Sequence, residues 1–307
     1  MNAEIRNFQY DESFNPLKDY VCNGYDEAIS DKSQIRITYK KFLKWFNNQN
    51  YSELSKKDLD ANRLFKITGI TFNVYGDKDD TEKLIPFDMV PRIISSAEWE
   101  KVEKGVSQRI RAINSFLNDI YHNQEIIKAK ILPLELIYKN PAYLFQMVGF
   151  RPPNNIYNHI SGIDLIKTKA SEFYVLEDNV RVPSGISYMM KNRDIMINLF
   201  PELFAELPIR NSKLYPRNLS KFLKKSSPNS NIKSPVVAVL TPGVNNSAYF
   251  EHSYLADQMG VELVEGIDLS IRKGHLSMRT IEGWKKIDVL YRSCLLYTSD
   301  AADEEDS

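Results

Sequence analysis

The order of elements between residues 235 and 264 most constrains the fold. Residues 235–243, PVVAVLTPG, have the composition of a buried strand that ends in a turn. Residues 250–259 have the pattern of a helix that stops at Gly260, and the apolar run 261–264 predicts a second strand. A strand, a helix and a strand in this order imply a parallel α/β unit, so the chain is predicted to be an α/β protein.

A long helix is predicted well before this unit. Ser96 can cap it, and apolar residues then recur in steps of three or four over more than five turns. The members of this stripe are Val102, Val106, Ile110, Ile113, Leu117 and Ile120. Arg109 and Arg111 lie off the stripe, and we interpret most of the basic residues of this helix as solvated charges on its exposed face.

Weaker patterns occupy the rest of the chain. The further predicted elements are a helix from Tyr25 to about Asn50, a strand over 66–75, helical pieces within 130–148 broken at Pro133 and Pro141, and a helix over 188–204. We interpret residues 1–24 as a polar docking segment or loop. Residues 211–234 are rich in Lys, Ser, Asn and Pro and are predicted to be a linker.

A β-hairpin is predicted between these helices, with strands over 157–166 and 172–179 and a polar turn at 167–171. Successive side chains of a strand alternate between its two faces, so Glu177, Asn179 and Arg181 would point the same way. Asp164 would lie across from residues 175–177, with the register open by a residue or two.

Three oxygen-bearing side chains, Asp164, Glu177 and Asn179, therefore fall on one predicted face. Hard oxygen ligands suit Mg²⁺, which keeps several waters and bridges substrate phosphates. Arg181, next on that face, could neutralise a phosphate or a carboxylate. Backbone N–H groups of the loop 183–185, Pro-Ser-Gly, could hold a second anionic group. The alternative is a set of exposed strand-end residues without a ligand, because short motifs recur by accident.

Composition excludes several classes of protein. The chain is 43% hydrophobic and 26% charged, which is typical of globular proteins. Its N-terminus does not resemble a secretory signal, and no apolar run approaches the roughly 18 residues of a membrane span. Two distant cysteines, Cys22 and Cys294, argue against a disulfide scaffold or a cysteine zinc site. We expect a soluble cytoplasmic protein that does not act on membranes.

The last residues, 294–307, differ in character from the rest. They read CLLYTSDAADEEDS, which resembles the translation of a transposon-end adapter, and they interrupt the strand pattern IDVLYRS. A natural acidic tail is the alternative. Five of the 40 acidic residues lie in this segment, so the remainder has 40 basic and 35 acidic residues. This mild excess gives no indication of nucleic-acid binding. We expect a non-native tail on a truncated fragment.

Several long stretches, in order, resemble one known family. They are FNVYGD with IPFDMVPRII, GFRPPNNIYNHISGIDL, YVLEDNVRVPSGISY and LTPGVNNSAYFEHSYLADQMGVELVEGIDL. From Tyr25 to Arg292 the chain resembles circularly permuted ATP-grasp (type 2) proteins, the group related to glutathionylspermidine synthase-like ligases. The resemblance implies a mixed sheet with helices plus a parallel α/β unit. Residues 25–210 would form the metal-binding half of the ATP-grasp domain, and residues 235–293 the start of a substrate-binding domain.

The resemblance also implies roles for individual residues. Asp164, Glu177 and Asn179 would hold Mg²⁺ that bridges the ATP phosphates, and Arg181 would contact the transferring phosphoryl group or the acyl phosphate. The implied substrate-binding residues are Ser184 and Gly185 for the acceptor, Ser247, Glu251 and His252 at a helix start, and Arg151. A substrate carboxylate is physically reasonable at a helix N-terminus. For His252, a capping or packing role is the alternative.

The activity implied is ATP-dependent formation of an amide or peptide bond, through an acyl phosphate, from a small-molecule or peptide carboxylate and an amine. The family carries an ATP-clamping lysine and a glycine-rich loop downstream of the DVLYR stretch, and this chain shows neither. We therefore expect an incomplete, inactive fragment of a ligase. The alternative is a non-catalytic ligand-binding or scaffold protein with an ATP-grasp-derived fold.

Overall fold

The computed structural model describes residues 20–21, 24–30, 34–69, 71–72, 83–84, 87–169, 172–229 and 231–292. The expected docking segment lies almost wholly outside these residues, and both cysteines and the tail lie wholly outside them. Contacts divide the chain into two units. The first comprises the described residues within Met1–Ser96, with Lys167–Glu172 and Tyr188–Ser212. The second comprises Ala97–Ile166, Phe173–Ser187 and the described residues within Lys213–Ser307.

The first unit begins with two helices, α1 (Lys40–Phe46) and α2 (Tyr51–Ile67). The predicted helix from Tyr25 to Asn50 is therefore wrong over most of its length. Helix α2 was missed because its buried residues, Leu54, Ala61 and Phe65, form a sparse stripe in which alanine gives little signal. A start signal was present, since the Asn50 side chain accepts from the Glu53 N–H at 2.8 Å.

The remaining elements of the first unit are short or interrupted. Strands β1 (Thr71–Phe72) and β2 (Lys83–Leu84) are antiparallel, so the predicted strand over 66–75 is observed only at Thr71–Phe72 among the described residues. The single helix expected over 188–204 is two helices. Most of α6 (Ile186–Leu199) and all of α7 (Pro201–Glu206) belong to this unit. Pro201 explains the break, because proline has no N–H to continue a helix.

The long predicted helix is confirmed as α3 (Ser96–Ile120). All of this helix except Ser96 belongs to the second unit. Two short helices follow, α4 (Glu125–Lys128) and α5 (Leu134–Tyr138). The end of α3 packs with them around four buried residues, Ile120, Tyr121, Ile137 and Tyr143. Pro133 immediately precedes α5, in agreement with the predicted break there.

Most of the predicted hairpin, β3 (Gly162–Lys169) and β4 (Glu172–Asn179), belongs to the second unit, whereas Lys167–Glu172 belong to the first. Strand β3 begins at Gly162 and not at residue 157, and it continues through residues 167–169, which were predicted to be turn. Helix α8 (Tyr215–Lys225) then leads to β5 (Val237–Leu240), α9 (Tyr249–Met259) and β6 (Glu262–Val264). An antiparallel sheet that the sequence did not reveal follows, made of β7 (Leu269–Arg272), β8 (His275–Thr280) and β9 (Gly283–Lys286). The last described strand is β10 (Val289–Arg292).

Strands β10, β5 and β6 form a parallel sheet in that order, which confirms the predicted parallel α/β unit. Alternate residues of β5 enter two cores. Val237 and Val239 pack with residues of α8 and α9, whereas Ala238 and Leu240 pack with Met278 of β8. Because α8 buries Leu219 and Leu223 in the first of these cores, residues 215–225 are not the linker that composition suggested. Among the described helices, none is long and apolar enough to cross a membrane.

Candidate functional site

The hairpin carries the three predicted metal ligands on one face. A methyl group built on Gly162 of β3 would lie 3.5 Å from Cβ of Asn179 in β4, so these two residues are cross-strand neighbours. Strands this closely joined in the chain are antiparallel. Asp164 lies two residues after Gly162, and Glu177 lies two residues before Asn179, so both share that face.

The three side chains are exposed to solvent. Asn179 Nδ2 donates to Glu177 Oε1 at 2.9 Å. In the part of the chain that the structure describes, no group of three or more His, Cys, Asp or Glu side chains lies close enough to hold a metal. The face therefore offers two carboxylates and an amide, and a cation held there would need further ligands such as water or phosphate oxygens.

Asp178 lies between Glu177 and Asn179 and so belongs to the opposite face of the hairpin. Arg109 of α3 donates to both of its carboxylate oxygens, at 2.6 and 2.9 Å from Nε and 2.5 Å from Nη2. The Arg109 guanidinium holds the pKa of the Asp178 carboxyl below its ordinary value of 3.8. Arg109 is thus not simply a solvated charge on α3, because it ties that helix to β4.

Two asparagines that the sequence analysis missed fix the ends of the hairpin. Asn114 of α3 accepts from the backbone N–H groups of Tyr157 and Asn158, at 2.8 and 2.9 Å. The buried Asn158 side chain donates to the carbonyl of Val180 and accepts from the Ser161 hydroxyl. These bonds tie the chain before β3 to the chain after β4. A hint was available, since Asn114 is a polar residue beside the apolar stripe of α3.

The chain after β4 lines an open cleft of about 430 Å³, together with residues 157–160 and 288–292. Arg181 and Arg292 both line it and are exposed. The acid in the lining, Asp288, accepts from the Val236 N–H at 2.9 Å. Loss of hydration lowers the pKa of His159, also in the lining, below its ordinary value of 6.5. The arginines therefore supply the positive charge of the cleft at neutral pH.

The segment that follows, a loop over residues 183–185 and the first two residues of α6, touches both the hairpin and helix α9. A methyl group on Gly162 would lie only 2.9 Å from Cβ of Pro183, so the hairpin approaches this loop too closely for a side chain. Ser184 is exposed, and Gly185 has φ +106°, a conformation that favours glycine. Ser184 and Gly185 thus lie in a loop whose backbone is held in an unusual conformation.

Glu251 and His252, predicted as substrate contacts, lie in the first turns of α9 and are buried, with exposed fractions of 1% and 0%. Glu251 Oε2 accepts from Gly185 N at 2.6 Å, Ser187 N at 3.2 Å and Ser187 Oγ at 2.8 Å. His252 Nδ1 lies 3.0 Å from Thr241 Oγ1 at the end of β5. The packing role considered for His252 fits this burial better than a substrate contact does.

The two remaining predicted substrate contacts occupy more open positions. Ser247 is half-buried in the turn that precedes α9. Arg151 is exposed, and its charge acts to lower the pKa of Tyr157, although burial of that tyrosine outweighs it and raises the pKa overall. Both belong to the second unit, and their roles as substrate contacts stay predictions.

A model of the family described as circularly permuted ATP-grasp type 2 matches residues 91–303. The match covers more than half of the chain and includes every predicted site residue. This chain belongs to the circularly permuted ATP-grasp type 2 family. The family and the α/β fold class expected from the sequence motifs are both confirmed.

Several curated proteins are similar to this ATP-grasp chain over most of its length. "Uncharacterized protein sll0335" of Synechocystis is 44% identical over 270 residues, covering 88% of this chain and 56% of that protein. Protein Rv2411c of Mycobacterium tuberculosis is 43% identical over 274 residues, covering 89% and 49%. The Frankia casuarinae protein named "Putative glutamate--cysteine ligase 2-2" is 35% identical, covering 90% and 32%. The chain thus spans about half the length of the first two relatives.

Among solved structures, a glutathione synthetase-like effector (GSS30) from Globodera pallida, in its apo form, has a similar fold. The TM-score is 0.51 at 12% sequence identity, covering 81% of this chain and 59% of that one. At this identity the similarity concerns the fold alone.

The ATP-grasp ligase family generally uses ATP and Mg²⁺, and the residues present fit that cation in their chemistry. Asp164, Glu177 and Asn179 present carboxylate and amide oxygens, the ligand type that Mg²⁺ prefers, on one solvent-exposed face. Mg²⁺ keeps several waters and takes few protein ligands, so a set of three is sufficient when a nucleotide supplies the remaining oxygens.

Proposed function

We propose that this protein is an ATP-dependent ligase that joins a carboxylate to an amine through an acyl phosphate. One observation carries the proposal. Asp164, Glu177 and Asn179 share an exposed face of the hairpin, and the chain leaves that hairpin directly into Arg181 and the loop of Ser184 and Gly185. A cation-binding face and an anion-binding loop are thus neighbours along one short segment.

In the first step an oxygen of the substrate carboxylate attacks the γ-phosphorus of ATP, and ADP leaves. In the second step the amine nitrogen attacks the acyl carbon, inorganic phosphate leaves, and the amine loses a proton. Mg²⁺ held by Asp164, Glu177 and Asn179 would neutralise phosphate charge. Such reactions depend mainly on positioning and electrostatic stabilisation, which is why no nucleophilic side chain is required.

Arg181 is the proposed catalytic residue. It is exposed, lies two residues after Asn179, and lines the cleft with Arg292. A guanidinium there can pair with two oxygens of the transferring phosphoryl group, where negative charge accumulates in the reaction. Ser184 and Gly185 follow and would contact the amine acceptor.

The relatives support a substrate class. One is named for glutamate–cysteine ligation, and the solved effector is described as glutathione synthetase-like. We propose an amino-acid or short-peptide carboxylate as the acyl donor. This chain spans 56% of the Synechocystis relative, so we expect full turnover only from a protein that also carries the remaining length.

Calorimetric titration of the chain with MgATP tests the cation face. We expect Asp164→Asn and Glu177→Gln to weaken binding by about tenfold or more, because each removes a charged ligand. Glu172→Gln is the matched control, since Glu172 is an exposed acid on the opposite face of the same hairpin. Binding that all three variants leave unchanged would overturn the proposed cation site.

A second measurement separates a ligase from a binding protein. In the corresponding full-length protein, ADP release should depend on an added amino-acid carboxylate, with glutamate and then cysteine as the first donor and acceptor tried. The substitution equivalent to Arg181→Lys should reduce this release by about tenfold or more while MgATP still binds. Binding of MgATP without any ADP release would favour the non-catalytic alternative.

A further inference from the structure

Glu251 is a buried acid whose carboxylate is bonded to residues next to the proposed acceptor loop. One of its oxygens, Oε2, accepts from Gly185 N, Ser187 N and Ser187 Oγ, all within 3.2 Å. Hydrogen bonds to an ionised acceptor are roughly twice as strong as neutral ones. A single side chain of α9 therefore fixes two backbone positions that lie 64 and 66 residues away in sequence.

The burial of Glu251 favours a role within the fold. Its exposed fraction is 1%, and that of Ser187 is 0%. Burial, together with the nearby Tyr291 and Glu251, raises the pKa of Tyr215 to about 12. Glu251 is in the first turn of α9, where the helix dipole favours a negative charge.

The residues that Glu251 holds, Gly185 and Ser187, follow the exposed part of the loop. Ser184 immediately precedes Gly185 and is exposed, whereas Ser187 is fully buried. Gly185 has φ +106° and its N–H is one of the three donors. Without an acceptor at Oε2, two backbone N–H groups would lose their partner, and such groups in a protein interior must be satisfied. The bonds therefore select one backbone conformation for the residues that follow Ser184, where the loop enters α6.

We infer that Glu251 is a positioning residue that holds the junction between the 183–185 loop and α6, and so keeps the loop in the conformation in which Ser184 and Gly185 meet the acceptor. The inference rests on the proposed function for what the loop binds, but not for how the loop is held. It differs from the substrate contact that the family resemblance implies for Glu251, which stays a prediction.

Amide hydrogen exchange on the chain tests how the loop is held. In Glu251→Gln we expect the amides of Gly185 and Ser187 to exchange about tenfold faster or more, because bonds to a charged acceptor are replaced by weaker ones. Glu251→Asp should have a similar effect, since its shorter side chain does not reach the loop. Ser187→Ala should affect the Gly185 amide less, because only the hydroxyl donor is lost.

The control is Asp257→Asn, an exposed acid of the same helix, which should leave both loop amides unchanged. Protection of the α9 and β5 amides should change less than that of Gly185 and Ser187 in Glu251→Gln. Unchanged exchange at Gly185 and Ser187 would overturn the inference. An equal rise throughout α9 and β5 would also overturn it, because the loss would then be one of general stability.

A kinetic readout addresses the acceptor, in the full-length protein with cysteine as the amine. The variant equivalent to Glu251→Gln should raise the KM for the amine severalfold and leave the KM for ATP unchanged. An equal rise in both would contradict a role confined to the loop. If no variant or wild type releases ADP while the exchange result holds, the proposed function fails and the holding of the loop by Glu251 stands.

Discussion

Glu177 and Glu251 are carboxylates of the same unit, and both were predicted to belong to the site, yet their surroundings differ in almost every respect. Glu177 is exposed on the hairpin and accepts from one side chain, that of Asn179 at 2.9 Å. Glu251 is buried in α9 and accepts from three donors through one oxygen. The same functional group is open to a ligand in one place and committed to the protein in the other.

The two surroundings suit two different roles in a site, ligand binding and the positioning of other residues. A group that must release and rebind a ligand has to keep lone pairs available, and an exposed carboxylate does so without loss because water occupies them between ligands. A buried carboxylate must be bonded within the fold, because an unpaired buried charge is strongly destabilising. Exposure therefore favours binding at Glu177, and complete bonding favours positioning at Glu251.

The largest expected difference is in the free energy of unfolding of two single variants, in which Glu251 or Glu177 is replaced by alanine. Glu251→Ala should lower the free energy of unfolding by about 3–5 kcal/mol, because three donors, two of them buried, lose their acceptor. Glu177→Ala should change it by no more than about 0.5 kcal/mol, as is usual for exposed side chains. Urea unfolding of the two variants measures both values. Equal losses of unfolding free energy in the two variants would contradict the different roles inferred for Glu251 and Glu177.

A second prediction concerns the contact between the hairpin and the loop. Gly162→Ala should lower the free energy of unfolding by about 1–3 kcal/mol, because the new methyl group would lie 2.9 Å from Cβ of Pro183, a rigid ring atom. The matched control is Gly105→Ala in α3, where a methyl group meets no atom within 4 Å. That change should stabilise by roughly 0.5–1 kcal/mol, since alanine is the better helix former.

The two glycine variants together show whether the hairpin and the loop are held against each other. A stable Gly162→Ala protein with unchanged protection of the Gly185 amide would mean that Pro183 moves freely away from β3. The exposed face of the hairpin and the bonds that Glu251 makes to Gly185 and Ser187 would then be independent features. The comparison between Glu177 and Glu251 would lose its structural basis.

Elements with strong local periodicity were predictable from the sequence. Helix α3, strand β4 and the parallel unit of β5, α9 and β6 all follow from apolar spacing and from breaks such as Gly260. Helix α8 was not predicted, because its lysines and prolines suggested a linker while only a few apolar residues, among them Leu219 and Leu223, face the core. Composition averages over both faces of such a helix and hides its apolar stripe.

The candidate site likewise has one part that was predictable from the sequence and one part that was not. Strand alternation alone places Glu177 and Asn179 on one face, since it is a property of consecutive residues. The partners of Glu251 could not be read from sequence, because two of its three donors are backbone N–H groups that every non-proline residue possesses. Their arrangement depends on the packing of distant segments, for which the sequence carries no local signal.

The smallest expected effect concerns the ion pair on the other side of the hairpin. Arg109 and Asp178 are partly exposed, with side-chain fractions of 44% and 22%, so solvent screens their attraction. Arg109→Gln should therefore be only slightly less stable than wild type at neutral pH. Arg111→Gln is the matched control, because Arg111 is exposed on the same helix and makes no ion pair among the described residues.

The pH dependence gives this last prediction its sign. Hydrogen bonding to Arg109 lowers the folded-state pKa of Asp178 from its ordinary value of 3.8. The unfolded state therefore binds a proton first as the pH falls, and the contribution of the pair is present above that ordinary value and lost as the pH falls through the lowered one. Urea unfolding at about pH 7 and about pH 3 should show the difference between Arg109→Gln and wild type shrinking at the lower pH, with no such change for Arg111→Gln. A difference that persists in acid would mean that Arg109 stabilises the hairpin by packing of its aliphatic stem, as long basic side chains often do.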